Sequence, residues 1–214
     1  MATRYYTGAA KRVAQIDTVT PGGTIAATDT FSVTINNKTL TFTATTTTVA
    51  HVVTGLYNLW VASEEPEFLE VEATDSTTTL TLTARTPGKP FTVTAGVSNV
   101  SGGAAPTLTQ ATGTAANGPE WYTTAANWSS ATAPTTGDTA IIEGNYDILY
   151  GLDDNSVTLA RMIIRDFSGN IGLPPTNPDG AYPEDRDQYL KVSITALDIM
   201  QNVTSSRIRI NVGT

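Results

Sequence analysis

Short apolar runs separated by Gly, Asn and Asp turns fill the stretch Pro119–Pro174, and this pattern limits the folds open to the chain. The stretch begins with Trp121 and Trp128, and a turn at Pro134–Asp138 precedes the first apolar run. Runs this short, with a turn about every 8–12 residues, predict the strands of a β-sandwich or a β-solenoid. Asn residues in the turns favour a β-helix-like domain over residues 119–214, with a sandwich-like domain as the alternative.

The first half of the chain changes from strand spacing to helix spacing and back. Residues 29–45 alternate apolar side chains with Thr and Ser around a turn at Asn36–Lys38, which predicts a hairpin. Residues 48–62 place apolar side chains three and four apart, so we expect a helix with Thr48 as its N-cap. Three more strands are expected over residues 67–95. The order predicts a small α+β unit, an antiparallel sheet with one helix on one face.

The 214 residues are enough for two domains with cores of their own. Residues 1–20 are interpreted as a polar and aromatic N-terminal arm, either a docking segment or a first strand with a frayed end. The α+β unit is assigned to residues 21–112. Residues 96–118 are poor in bulky apolar groups and are interpreted as a connection to the domain at 119–214, with a candidate strand at Thr107–Thr112. Abundant Thr and other β-branched residues make the fold class mainly β.

Charge and composition limit the partners of the chain. The net charge of −8 argues against a broad phosphate-binding surface, so no nucleic-acid partner is expected. The sequence has no Cys, and His51 is its one histidine, which excludes disulfides and multi-histidine metal sites. The N-terminus lacks the apolar core of a signal peptide, and no apolar run reaches the roughly 20 residues of a membrane span. We therefore expect synthesis in a cytoplasm and no membrane partner.

Acidic residues raise two chemical alternatives. A facing pair of carboxylates would serve glycoside hydrolysis, and one stretch supplies five acids: Glu143, Asp147, Asp153, Asp154 and Asp166. The segments 153–155 and 179–187 offer oxygen ligands for Ca²⁺. No motif fixes a carboxylate pair, and the spacing matches no EF-hand loop. The expectation is therefore turn and surface acids, with no catalytic residue, no cofactor and no metal site.

Five residues are candidates for interaction with other molecules: Arg4, Tyr5, Tyr6, Trp121 and Trp128. The first three lie in the N-terminal arm, where they would dock on a partner. The two tryptophans either close the open first coil of a β-solenoid or form an exposed platform that binds sugars. The two alternatives predict opposite burial of the indole rings.

Several segments resemble proteins of tailed-phage particles. Residues 119–142, PEWYTTAANWSSATAPTTGDTAII, resemble the entry segment of β-helical surface and virion proteins. The segments ILYGLDDNSVTLARMIIRDFSGNIGLP and RIRINVGT are similar to tailed-phage virion proteins. The segment TARTPGKPFTVTA is similar to a small module of phage head and tail proteins. The resemblance implies a particle component and brings no catalytic motif with it.

The sequence and the resemblance together favour a structural function. We expect a non-enzymatic virion protein, a capsid decoration (cement) protein that bridges and stabilises subunits on the capsid surface. Its partner would be the major capsid protein, and threefold positions in capsids suggest a homotrimer. One alternative is a tail, fibre or baseplate protein that binds host glycans. A second alternative is a β-helix enzyme that degrades polysaccharides.

Overall fold

The computed structural model describes residues 1–205 and 207–213, and the fold is mainly β. In chain order its strands are β1 (Thr3–Tyr5), β2 (Ile16–Gly23), β3 (Thr30–Ile35), β4 (Lys38–Thr43), β5 (Val71–Asp75), β6 (Leu80–Ala84), β7 (Val93–Ser98), β8 (Pro106–Thr114), β9 (Thr139–Gly144), β10 (Asp153–Leu159), β11 (Arg161–Phe167), β12 (Leu190–Ile194), β13 (Leu197–Ile199) and β14 (Ile210–Gly213). The helices are α1 (Val49–Val61) and α2 (Pro66–Leu69), with 3-10 turns at Ala125–Asn127 and Ser129–Ala131. None of the helices in the described part of the chain is long and apolar enough to cross a membrane.

The chain forms two compact units, and the N-terminal residues belong to the same unit as the C-terminal part of the chain. One unit comprises residues 14–116, and the other comprises residues 1–13 together with the chain from Asn117 onward. The expected arm over residues 1–20 is therefore divided between the two units. Its first part forms β1 and its last part lies in β2.

The unit of residues 14–116 contains two antiparallel sheets where the sequence predicted one. The first has the strand order β5-β6-β2-β8, and the second has the order β4-β3-β7. Strand β8 accounts for much of the difference, because it pairs with β2 along its whole length, from Gly23 opposite Pro106 to Ile16 opposite Thr114. The sequence between residues 96 and 118 had indicated mainly a connection. Few bulky side chains are needed there, because one face of β8 is exposed.

The predicted hairpin and helix are present in this unit. Strands β3 and β4 pair in the register that places Phe31 opposite Phe42. Thr48 is the N-cap of α1, and its side chain accepts a hydrogen bond from the backbone N–H of His51 at 3.3 Å. The helix buries the predicted stripe against strands of both sheets: Val52, Val53, Leu56 and Trp60. The indole N–H of Trp60 donates to the carbonyl of Val71 at 3.1 Å, so its one polar atom is satisfied in the core.

The other unit consists of parallel strand pairs. One sheet has the order β1-β9-β11-β13 and a second has the order β10-β12-β14. The chain segments between β9 and β10, between β11 and β12 and between β13 and β14 also pair. Single parallel bridges join Ile148 to Ile171 and Ile171 to Ile208. The core lies inside these strands and is formed largely by Ile, Leu, Val and aromatic side chains. Each step along a sheet therefore joins segments far apart in sequence, as parallel pairing requires.

Residues 1–13 are held in this unit by backbone pairing. Strand β1 pairs in parallel with β9, with Thr3 opposite Thr139. The pairing continues beyond the strand, since the N–H of Tyr6 donates to the carbonyl of Ile141 at 2.9 Å. Val13 and Asn117 exchange two backbone hydrogen bonds of 2.7 and 3.3 Å. Of the two interpretations of the N-terminal arm, a docking segment or a first strand, the structure shows a first strand that pairs with β9.

Candidate functional site

A cluster of three buried aromatic rings lies at the start of the unit with parallel strands. The ring of Trp128 contacts Tyr6 at 5.1 Å and Tyr122 at 5.2 Å between centroids, both edge to face. Its indole N–H donates to the carbonyl of Tyr122 at 2.7 Å, and the hydroxyl of Tyr6 donates to the carbonyl of Pro119 at 2.6 Å. Burial raises the pKa of both tyrosines well above the usual range. The three rings are therefore packed as core residues.

The interaction candidates divide into buried and surface residues. Tyr6 and Trp128 are each 2% exposed, so neither ring is available to a partner on the surface of this unit. Trp121 is half-buried and lies tilted against Tyr150, at 5.9 Å between ring centroids. Tyr5 is 38% exposed. The burial of Trp128 argues against an exposed sugar-binding platform at this ring, and its role in closing the first coil of a β-solenoid stays a prediction.

Asp138 joins β1 to the turn that precedes β9. Its carboxylate accepts hydrogen bonds from the N–H of Ala2 at 2.6 Å and from the N–H and hydroxyl of Thr135 at 3.2 and 3.1 Å. The guanidinium of Arg4 lies 3.6 Å from the same carboxylate. These hydrogen bonds, chiefly that from Ala2, and the nearby positive charge lower the pKa of Asp138 below its ordinary value. The candidate Arg4 thus has a structural partner.

We expect the Asp138→Asn variant to be less stable than the wild type at pH 7 and to lose that difference in acid. Because the folded-state pKa is lowered, the stabilising contribution is present above the unfolded value of about 4. It is lost as pH falls through the folded pKa. Urea unfolding at pH 7, 5 and 3 measures the free energy of unfolding. The exposed Asp153→Asn is the control, and equal losses at all three pH values would contradict the assignment.

Most of the acids considered for hydrolysis are engaged by nearby side chains. Four accept hydrogen bonds within the unit: Glu143 from Arg165, Asp147 from Asn170, Asp153 from Asn155 and Asp166 from Asn202. Burial, and secondarily the charge of Asp153, raise the pKa of Asp154 to about 6. In the described part of the chain, no group of three or more His, Asp or Glu side chains is arranged to hold a metal ion. The acids of residues 153–155 and 179–187 form no such group.

Strands β13 and β14, the last of their sheets, form an open edge. Strand β13 pairs with β11 and β14 pairs with β12. Across residues 1–205 and 207–213, no other strand pairs with either of them. This open edge also exposes apolar side chains, at 37–52% of their surface: Leu197, Ile199, Met200 and Val212. An apolar strand edge of this kind is a template for pairing with a further strand.

A groove of about 230 Å³ lies elsewhere in the same unit. Its lining combines a cation, two acids, an amide and an aromatic ring: Arg12, Pro119, Glu120, Asn145, Tyr146 and Asp147. The sequence pattern predicts a turn at Gly144-Asn145, between two apolar runs, and indicates no role for Tyr146. The sequence feature that could have pointed to a site was an aromatic residue directly after that turn, where no burial is needed.

No known family model matches the chain, and no curated protein matches its sequence.

Proposed function

We propose that the chain is a non-enzymatic structural protein of a tailed-phage virion, a decoration (cement) protein on the capsid surface. The observation that carries this proposal is the open edge of β13 and β14, which combines unpaired strands with exposed apolar side chains. A monomer with such an edge tends to associate with other chains. A partner strand from the major capsid protein would cover the edge and hold neighbouring subunits together.

The parallel unit is suited to this mechanical role if it is a β-helix. We propose that residues 139–213 wind as three coils, which start at β9, β11 and β13. Each coil would supply one segment to each of three stacks of parallel segments. The first stack is β9, β11 and β13, the second is the bridged series Ile148, Ile171 and Ile208, and the third is β10, β12 and β14. A sandwich built from hairpins would show antiparallel pairs instead. The last coil then presents the open edge.

The binding mode would be strand addition. Backbone hydrogen bonds to β13 or β14 supply affinity, and the apolar side chains beside them supply specificity. Covering these side chains also removes apolar surface from water, which favours the complex. The net charge of −8 is compatible with a position outside the shell, away from packaged DNA.

We expect the wild-type protein to sediment with empty capsids of its phage and the Ile199→Lys variant to bind at least tenfold more weakly. Lysine at this position puts a charge on the apolar edge that the partner strand must cover. The matched control is Val61→Lys on α1, which changes another exposed apolar residue, 59% exposed, and leaves the edge intact. Failure of the wild type to bind capsids, or unchanged binding of Ile199→Lys, would overturn the proposal.

The same proposal includes a homotrimer at threefold positions of the capsid. Sedimentation equilibrium should then give three times the chain mass of 22.5 kDa. Electron microscopy of intact particles should place the chain on the outer capsid surface. Density in the tail would support the fibre alternative, and release of reducing sugars from polysaccharide would support the enzyme alternative.

A further inference from the structure

We propose that the groove lined by Arg12, Glu120 and Tyr146 binds an uncharged sugar ring of a glycan. This is a binding activity additional to capsid binding, and it uses other residues than the open edge. The volume of about 230 Å³ is below the ~300–1,000 Å³ of sites for drug-sized ligands, so it suits one ring of a longer chain. An extended glycan would leave its other rings in solvent.

Tyr146 provides the flat surface that a sugar ring requires. Its side chain is 37% exposed and lines the groove. Behind it, Gly8 approaches so closely that a Cβ on that residue would lie 2.7 Å from Cδ1 of the ring. The ring of Tyr6 contacts it edge to face at 5.9 Å. Because these contacts hold the ring in place before binding, little conformational entropy is lost when the C–H face of a sugar stacks on it.

Polar groups around the ring match the hydroxyl groups of a sugar. One oxygen of Asp147 accepts hydrogen bonds from Asn170, and one oxygen of Glu120 accepts from Arg12. The second oxygen of each carboxylate is available to accept from a sugar hydroxyl. The amide of Asn145 also lines the groove, and an amide offers both donors and an acceptor. Sugar hydroxyl groups need this mixture because each both donates and accepts.

Charge decides which sugars are accepted. The groove holds two carboxylates and one guanidinium, and that guanidinium is already paired with Glu120. A phosphate, sulfate or uronic acid would meet net negative charge and no free cation from the lining. A neutral sugar ring can donate hydrogen bonds to the two carboxylates, and it leaves their negative charges in contact with solvent. We therefore expect selection of neutral glycans over anionic ones.

The test is a glycan array that carries neutral and anionic oligosaccharides, probed with the full chain and followed by calorimetry on the best binder. We expect saturable binding to neutral glycans and at least a tenfold loss for Tyr146→Ala. Tyr146→Phe keeps the stacking face and should bind within about threefold of the wild type. Tyr189→Ala, which removes another exposed tyrosine outside the groove, should bind as the wild type does.

A second variant is needed because Tyr146 also packs on Gly8, so misfolding is another way for Tyr146→Ala to lose binding. Asn145→Ala changes an exposed side chain and should weaken binding several-fold while the unfolding midpoint stays the same. Separate array sectors for bacterial O-antigens and for free plant or storage oligosaccharides distinguish the source of the glycan. Binding only to anionic glycans, no binding to any glycan, or equal binding by Tyr146→Ala would overturn the proposal. Capsid binding by Tyr146→Ala should be unchanged, so the two proposals fail independently.

Discussion

The Trp128→Ala variant should lose about 3–5 kcal/mol of the free energy of unfolding of the unit with parallel strands. The indole is 2% exposed and contacts two other buried rings, so its removal leaves a cavity that the surrounding aromatic side chains cannot fill. It also leaves the carbonyl of Tyr122 without its donor. Urea unfolding followed by circular dichroism measures the loss without relying on tryptophan fluorescence.

Two controls separate packing from the hydrogen bond and locate the damage. Trp128→Phe keeps most of the apolar volume and removes the N–H donor, so its loss should be less than half that of Trp128→Ala. Hydrogen exchange should show the loss of protection in residues 117–205 and not in residues 14–116, which have a separate core. A loss below about 1 kcal/mol for Trp128→Ala would contradict the core assignment.

The Gly169→Ala variant should lose at least about 3 kcal/mol of the free energy of unfolding, although the substitution adds only one methyl group. A Cβ at Gly169 would lie 1.8 Å from the backbone oxygen of Tyr146 and 2.5 Å from its carbonyl carbon. The obstacle is main chain and not the end of a flexible side chain, so the segments must move apart. That movement would also displace Tyr146 from the groove. We therefore expect reduced stability and reduced glycan binding together, measured by thermal unfolding and calorimetry.

Gly103→Ala is the matched control for this substitution. A Cβ at Gly103 would meet nothing nearer than the Ser101 hydroxyl at 3.8 Å, and the residue is exposed. Its free energy of unfolding should stay within about 0.5 kcal/mol of the wild type. Equal behaviour of the two alanine variants would show that the close approach at Gly169 is relieved at no cost.

Local patterns predicted the local elements of the chain. The helix α1 and its N-cap Thr48 follow from apolar residues three and four apart, and those residues are the buried ones. The hairpin of β3 and β4 follows from strict alternation around Asn36, whose φ of 53° is the left-handed conformation that Asn tolerates. The mainly β class follows in the same way, since both signals depend on near neighbours in sequence.

Long-range pairing was outside the reach of those patterns. Nothing in the polar sequence of Thr3–Tyr5 indicates that it pairs with Thr139–Ile141, because the interactions are backbone hydrogen bonds and the carboxylate of Asp138. For strand β8, the sequence predicted part of the strand, Thr107–Thr112, and did not predict its pairing with β2. It is stabilised partly by the buried carboxylate of Asp17, which accepts hydrogen bonds from Gln110 and Thr112 at 2.6 Å. Tyr146 was not predicted as a site residue, because a single aromatic residue after a turn belongs to no periodic pattern.

The division of the chain also sets an order for its folding during synthesis. The N–H of Ala2 donates a hydrogen bond to Asp138, which lies 136 residues later in the chain. Strand β1 therefore has no partner until the part of its unit that starts at Asn117 emerges from the ribosome. We expect residues 14–116 to fold before that point, and the pairing of Ile16 with Thr114 then brings the two ends of this unit together. The loop still to be closed then shrinks to roughly 30 residues, which lowers its entropic cost by about 1.3 kcal/mol. The inserted unit thus acts as a folding aid, making the late pairing of β1 about tenfold more favourable.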